Sequence, residues 1–195
     1  MDSFRLLKDE CAECKRCALY RNRHNLVFGV GNEKADLMFV GEGPGEQEDL
    51  KGEPFVGPAG QLLDVMLQLI GLNRTQIYIA NIIKCRPPAN RDPKPEERSA
   101  CAEWLNRQIS LIDPKIVICL GRIAAISLID DEFRITKEHG KWFEIGGRKY
   151  LATYHPSALL RDPGKRPDAF SDFRKIRAEY RKFLDENEKR ESSCL

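Results

Sequence analysis

No stretch of this sequence stays apolar for long. Its longest hydrophobic runs, such as Ile116-Val117-Ile118-Cys119-Leu120, fall far short of the ~20 residues that a bilayer-spanning helix needs. The N-terminus also lacks the apolar core of a secretory signal, so a cytoplasmic protein is expected. Excess charge of one sign is missing as well: 32 Lys and Arg face 30 Asp and Glu, a net charge of +2. That excludes a whole-molecule basic field and leaves only local surfaces for a nucleic acid. There is no repeat, low-complexity tract or long linker, hence no visible domain boundary, and 195 residues fit a single domain spanning 1–195. With 42% hydrophobic and 32% charged residues, the chain is apolar enough to fold and too polar for a membrane.

What is present is an alternation of strand and helix signals. Leu37-Met38-Phe39-Val40 is a short apolar run that stops at glycines, as a buried parallel strand does. Ile77 to Ala80, Ile116 to Leu120 and Tyr150 to Tyr154 read as three more strands. Between them, Leu62, Leu63, Met66 and Ile70 recur at helical spacing before Gly71, and Pro95-Glu96-Glu97 makes a good first helical turn. Cys101, Trp104, Leu105, Ile109 and Ile112 then share one face, Ile123 to Ile129 reads as a further helix, and Phe173, Ile176, Tyr180 and Leu184 mark a last one. The stretch from Asp185 to Leu195 is polar enough to read as a tail, and the first thirty residues as a segment tied down by something other than a core, such as a metal. Such alternation implies an α/β fold, a mainly parallel sheet covered by helices. In such sheets ligands bind beyond the carboxyl ends of the strands, where Gly41 to Asp49, Asn81, and His155 with Ser157 converge.

Two motifs carry chemistry ambiguously. The loop Gly41-Glu42-Gly43-Pro44-Gly45-Glu46-Gln47-Glu48-Asp49 has Glu46 where a dinucleotide fingerprint needs its third glycine, and it lacks the phosphate-loop lysine. It is either a tight turn with solvated acids or a backbone that lets a planar ligand approach, with Glu42 or Glu48 available to position water. Cys14 and Cys17 form a two-spacer pair, and Cys85 and Cys101 a second pair with fifteen residues between them. Cys11 extends the first pair toward a ferredoxin-like run, but Arg21 stands where the next cysteine belongs. Spacing does not separate zinc from a four-iron cluster, and a buried cysteine is otherwise a small core hydrophobe, as expected of Cys119. Cys194 is expected to be no ligand.

Gly41-Glu42-Gly43-Pro44-Gly45-Glu46 with Pro54-Phe55-Val56-Gly57, then Asn81-Ile82-Ile83-Lys84-Cys85-Arg86-Pro87-Pro88, then His155-Pro156-Ser157, closely resemble the family 4 uracil-DNA glycosylases, iron-sulfur enzymes typical of thermophiles. The resemblance runs in order from about Cys14 to Arg161. It implies a four-stranded parallel sheet sandwiched between helices in three layers, and hydrolysis of the bond between uracil and deoxyribose to leave an abasic site, with no lyase step. Cys14, Cys17, Cys85 and Cys101 would hold a [4Fe-4S] cluster. Phe55 would stack on an extruded base, and Asn81 would offer an amide donor to uracil O4 and a carbonyl acceptor to N3–H. Glu48 would lie near C5, where the family excludes the thymine methyl, and the backbone around Gly43 would touch the base. His155 would donate to the developing charge on O2. Better-known uracil glycosylases carry a water-orienting aspartate where this chain has Gly43. Glu42 is then the first choice for that role, and a dissociative mechanism needing little base the alternative.

Downstream, Ser157, Leu159, Leu160, Arg161, Lys165 and Arg166 combine phosphate-contacting types with an apolar wedge, although a solvated basic loop has the same composition. Lys84, Arg86 and Arg91 sit beside the second cysteine pair, so the cluster would brace a DNA-facing loop. The expected partner is uracil-containing DNA, single- or double-stranded, bound by a monomer, with a sliding clamp as a candidate. Two other readings compete: a metal-stabilised nucleic-acid-binding module without chemistry, and a ferredoxin-like redox protein.

Overall fold

The computed structural model describes residues 3–192. In chain order the elements are α1 (Ser3–Ala12), β1 (Val30–Gly31), β2 (Leu37–Gly41), α2 (Glu46–Lys51), α3 (Pro58–Leu69), β3 (Tyr78–Asn81), α4 (Pro95–Ile112), β4 (Ile116–Leu120), α5 (Arg122–Leu128), α6 (Ile135–Glu138), β5 (Trp142–Ile145), β6 (Arg148–Thr153), α7 (Pro156–Arg161) and α8 (Arg166–Ser192). The sheet order is β1-β3-β2-β4-β6-β5. Its four central strands are parallel, as the apolar runs imply, and place Gly41 opposite Asn81 in register. Two antiparallel edges extend it. β5 pairs with β6 through Gly146 and Gly147, both at positive φ, as a tight hairpin requires.

Because strand side chains alternate, each central strand feeds two cores. Met38, Val40, Val117 and Cys119 face α1, α4 and α5, whereas Phe39, Ile79, Ile118 and Leu151 face α3, α7 and α8. The helices thus close both faces and leave the carboxyl edge of the sheet open. α4 starts as its sequence implies: Pro95 opens the first turn, and Glu97 folds back to accept from the Lys94 amide at 2.8 Å.

Two expectations change at the ends of the chain. The N-terminal segment is held by a core after all: Phe4, Leu7 and Cys11 form a buried stripe on α1, and the Phe4 ring meets Phe28 and Tyr78 edge-on at 5.5 and 5.7 Å. Cys11 is therefore a core residue. The polar stretch after Asp185 continues as helix α8 to Ser192, with Lys182 and Glu186 one turn apart at 4.0 Å. Cys194 lies outside the described residues. Among the described residues no helix is long and apolar enough to cross a membrane.

Candidate active site

The carboxyl ends of β2, β3, β4 and β6 open into a cleft of about 510 Å³. Glu42, Gly43, Glu48, Phe55, Asn81, His155, Ser157, Arg161 and Lys165 all line it. Nine of the twelve residues singled out for catalysis, base contact or DNA contact thus meet in one place. The three exceptions are Leu159, Leu160 and Arg166.

Asn81 ends β3 and is 2% exposed, yet its side-chain Oδ1 has no hydrogen-bond partner. A buried polar atom without a partner costs about 1–3 kcal/mol, so it marks a place where a ligand's donor belongs. Gly41 leaves the space that this arrangement needs. A Cβ there would come within 2.5 Å of Asn81 Oδ1 and 2.6 Å of the Phe55 ring.

Phe55 is held in a left-handed conformation at φ +55°, unusual for an aromatic residue and worth about 1–3 kcal/mol of strain. The surroundings over-determine it. Arg74, anchored on Asp64 at 2.6 Å, donates to the Pro54 and Phe55 carbonyls. Glu48 accepts from the Val56 and Gly57 amides at 2.9 and 2.8 Å, and Gly60 leaves the room that the Phe55 carbonyl occupies. The result is a ring 5.5 Å from the His155 ring, tilted by 31°. Glu48 lines the cleft as expected, but one of its oxygens is spent on bracing the Phe55 loop.

His155 caps α7. Its Nδ1 accepts from the Ser157 amide at 3.2 Å and lies 2.8 Å from the Ser157 hydroxyl. A backbone N–H can only donate, so Nδ1 is the acceptor and the neutral ring carries its proton on Nε2. Burial, together with the positive charge of Arg161, pulls the imidazole pKa down to about 4, which keeps the ring neutral at physiological pH. Ser157 thereby orients the histidine. Glu42, half-buried at the end of β2, is driven the other way: burial, with Asp92 adding repulsion, raises its carboxyl to about 7 against the opposing pull of Arg122 and Arg161. At Gly43 a side chain would run into Ile83, whose Cγ1 lies 2.6 Å from where a Cβ would be.

Leu159 is not a DNA-facing wedge. It is 1% exposed and packs in the core shared by α3 and α8, while its neighbour Leu160, at 41% exposure, is the apolar side chain that α7 turns outward. Arg166 is exposed but outside the cleft, donating to the Leu159 carbonyl at 3.2 Å. The sequence reading missed Arg122 and Asp92, which line the cleft and pair at 2.6 Å. The strand-end rule could have found Arg122, because it follows Gly121 at the end of β4 just as His155 follows β6.

On the α4 side of the sheet a second cavity is lined by Cys14, Cys17, Cys85 and Cys101 together with Lys84 and Trp104. Two of the sulfurs receive N–H donors: Trp104 Nε1 lies 3.2 Å from Cys14 Sγ, and an Arg23 guanidinium nitrogen 3.3 Å from Cys85 Sγ. Arg23 also donates to the Ala12 and Cys14 carbonyls, tying the N-terminal segment to the strand-end turn that carries Cys85. Burial raises the Cys85 thiol against the opposing pull of Arg23, and lifts that of Cys101 to about 11 against that of Lys84. Among the described residues no three Cys, His, Asp or Glu side chains gather tightly enough to hold a single metal ion. The four thiols line a common wall instead. Lys84, read from the sequence as a neighbour of a DNA-facing loop, is 1% exposed and lies inside the fold.

The family model described as the uracil DNA glycosylase superfamily matches residues 28–179. A curated relative from Archaeoglobus fulgidus, a type-4 uracil-DNA glycosylase, is 50% identical over 184 residues, covering 90% of this chain and 92% of that protein. One of the same name from Thermotoga maritima is 45% identical over 159 residues, 80% of this chain and 83% of its own length. A type-5 uracil-DNA glycosylase from Thermus thermophilus is more distant, 32% identical over 160 residues, covering 71% of this chain and 72% of that protein.

Proposed function

The chain belongs to the uracil-DNA glycosylase superfamily, and from that premise we propose how its residues perform the reaction. It is a DNA repair glycosylase of the type-4 kind, a hydrolase that removes uracil from DNA. The target nucleotide leaves the stack and its base enters the cleft. Phe55 stacks on the base, a contact worth ~1–3 kcal/mol per base in other sites.

The buried, unpartnered Oδ1 of Asn81 carries this reading. It accepts from uracil N3–H while the amide nitrogen donates to O4. Cytosine would set an acceptor against that oxygen and a donor against that nitrogen, so the two bases part by the cost of two mismatched buried polar groups. Glu48 braces the Phe55 loop and flanks the base near C5, and the Gly43 backbone closes over the ring.

As the glycosidic bond lengthens, negative charge collects on uracil O2 and positive charge on the sugar. The Nε2–H of neutral His155, its tautomer set by Ser157, donates to O2, and losing such a donor costs on the order of 3 kcal/mol. Glu42 is the group that holds the attacking water and takes its proton. Its raised pKa, about 7, supports the assignment, because a base works best near the ambient pH. The clash awaiting a side chain at Gly43 supports giving this task to its neighbour. Arg161, Lys165 and Arg122 meet phosphates, and of the two adjacent leucines only Leu160 faces the duplex.

Cys14, Cys17, Cys85 and Cys101 would hold a [4Fe-4S] cluster. The donor set fits: four thiols lining one cavity, with N–H groups aimed at two sulfurs, suit a group bound at several corners better than a single ion. Bound there, the cluster supplies a cross-link between the N-terminal segment and the Cys85–Cys101 stretch, and hydrolysis draws no step from it. The test is direct. The purified protein is incubated with a uracil-containing oligonucleotide and the product treated with alkali; strand scission at the uracil position is expected, and intact strands from both single-stranded and duplex substrates would overturn the reading.

A further inference from the structure

The five residues from Asn81 to Cys85 join the two sites. Asn81 closes the cleft at one end of this turn, and Cys85 lines the cysteine cavity at the other. Its backbone continues the sheet pairing past the strand end, since the Ile82 and Ile83 amides donate to the Gly41 and Glu42 carbonyls at 2.9 and 3.1 Å. The same turn therefore also touches the backbone of the water-holding residue. Inside it lies Lys84, whose ammonium donates back to the Asn81 main-chain carbonyl at 3.0 Å and to Gln108 Oε1 at 2.5 Å. Gln108, fully buried on α4, is itself fixed by donating to the Phe28 carbonyl at 3.0 Å and the Tyr78 hydroxyl at 3.2 Å.

A lysine is a costly choice for this position. A buried ammonium gives up its hydration, and two amide carbonyls, the Phe28 ring at 5.9 Å and the cysteine cavity beside it offset only part of a loss that a leucine or methionine would not incur. Its distinctive property is reach: one side chain bridges the peptide carrying the base-reading amide and the rigid α4 helix behind the sheet. We propose that Lys84 is a positioning residue for uracil recognition, closing the Asn81–Cys85 turn so that the Asn81 amide meets the base at a fixed angle. This rests on the uracil-reading role assigned to Asn81. The lysine touches no substrate and acts through the Asn81 peptide. A displacement of about 1 Å at such a group is enough to cost on the order of 100-fold in rate.

The experiment compares the wild-type holoenzyme with Lys84→Met and Gln108→Met. Readouts are kcat and KM for uracil release, inhibition by free uracil, affinity for uracil-free duplex, visible absorbance with iron content, and thermal melting. Lys84→Met is expected to lower kcat by tenfold or more and to weaken free-uracil inhibition by a similar factor, with uracil-free duplex affinity within about twofold of wild type. Gln108 does not line the cysteine cavity, so Gln108→Met separates the turn's closure from damage to that cavity, and it carries the test if Lys84→Met fails to fold. For that variant a several-fold loss of uracil inhibition at unchanged iron content supports the proposal. Wild-type kcat and uracil inhibition in a folded Lys84→Met, or in Gln108→Met where Lys84→Met does not fold, overturn it. A lowered melting temperature with unchanged uracil inhibition overturns it too, because that is a purely structural effect. Wild-type protein that releases no uracil would instead defeat the Asn81 reading itself.

Discussion

The cleft and the cysteine cavity lie on opposite sides of one turn and treat their polar groups in opposite ways. In the cleft, framing groups such as Glu48 and His155 Nδ1 are held, but others are left waiting: Asn81 Oδ1 is orphaned, Phe55 is held at positive φ, and Glu42 and His155 are pushed by burial toward their neutral forms. In the cysteine cavity partners are supplied, with Trp104 and Arg23 donating to sulfur and Arg23 also to two carbonyls. A site that must bind and release a base keeps unsatisfied groups ready for it, whereas a site that must hold still satisfies them. Substitutions that remove a waiting group should therefore act on rate, and those that remove a satisfied group on stability.

The sharpest division is expected at His155. His155→Ala removes the donor proposed for O2 and should lower kcat by about 10²- to 10³-fold, as the loss of one oxyanion donor does elsewhere. Affinity for abasic duplex should stay within a few-fold, because that product presents no O2. Loss of the α7 cap adds only about 1 kcal/mol to unfolding. A rate drop below tenfold would remove His155 from the chemistry and blur the contrast. Asn81→Ala comes next, with kcat/KM for uracil release falling about 10- to 100-fold, the scale of one bidentate base contact. Free uracil should lose its inhibition in parallel, and retained inhibition would show that the orphaned oxygen waits for something else.

A smaller effect comes from pH. The Glu42 carboxyl is raised to about 7, and in its proposed role as base the working form is the carboxylate, so single-turnover rates should climb about tenfold per unit below pH 7 and level off above it. His155, lowered to about 4, stays neutral throughout that range and adds no second limb until the pH nears 4. Glu42→Gln should flatten the rise. A slope that survives the substitution would move the base elsewhere or favour a reaction that needs little base.

How much of this could be read from the sequence follows from burial. The four central strands were legible because a parallel strand covered on both faces is a plain apolar run, as Ile116 to Leu120 is. β5 was not, since Trp142-Phe143-Glu144-Ile145 mixes exposure, and its Gly146-Gly147 turn passed unread. The α1 stripe of Phe4, Leu7 and Cys11 was hidden among charges, so the core contacts of the N-terminal segment could not be seen in the sequence. Motif order gave the cleft, but not the direction of side chains within it. Leu159 and Leu160 are adjacent in the sequence and about 100° apart on α7, so only the fold tells the buried one from the exposed one. Nor can a sequence say that a Glu48 oxygen faces two backbone amides.

The smallest effect on rate should come from the satisfied side of the turn. Cys17→Ala removes a thiol contributed by the N-terminal segment and leaves the Asn81–Cys85 turn intact, with Lys84 still bonded to the Asn81 carbonyl and Arg23 still holding Ala12 and Cys14. Iron content should fall and the melting temperature with it, because binding free energy at such a site is folding free energy. At a temperature where the variant stays folded, uracil release should remain within about threefold of wild type. A collapse of kcat in folded, iron-depleted protein would mean that the cysteine cavity takes part in the chemistry after all, and the division between waiting and satisfied groups would then lie elsewhere than along this turn.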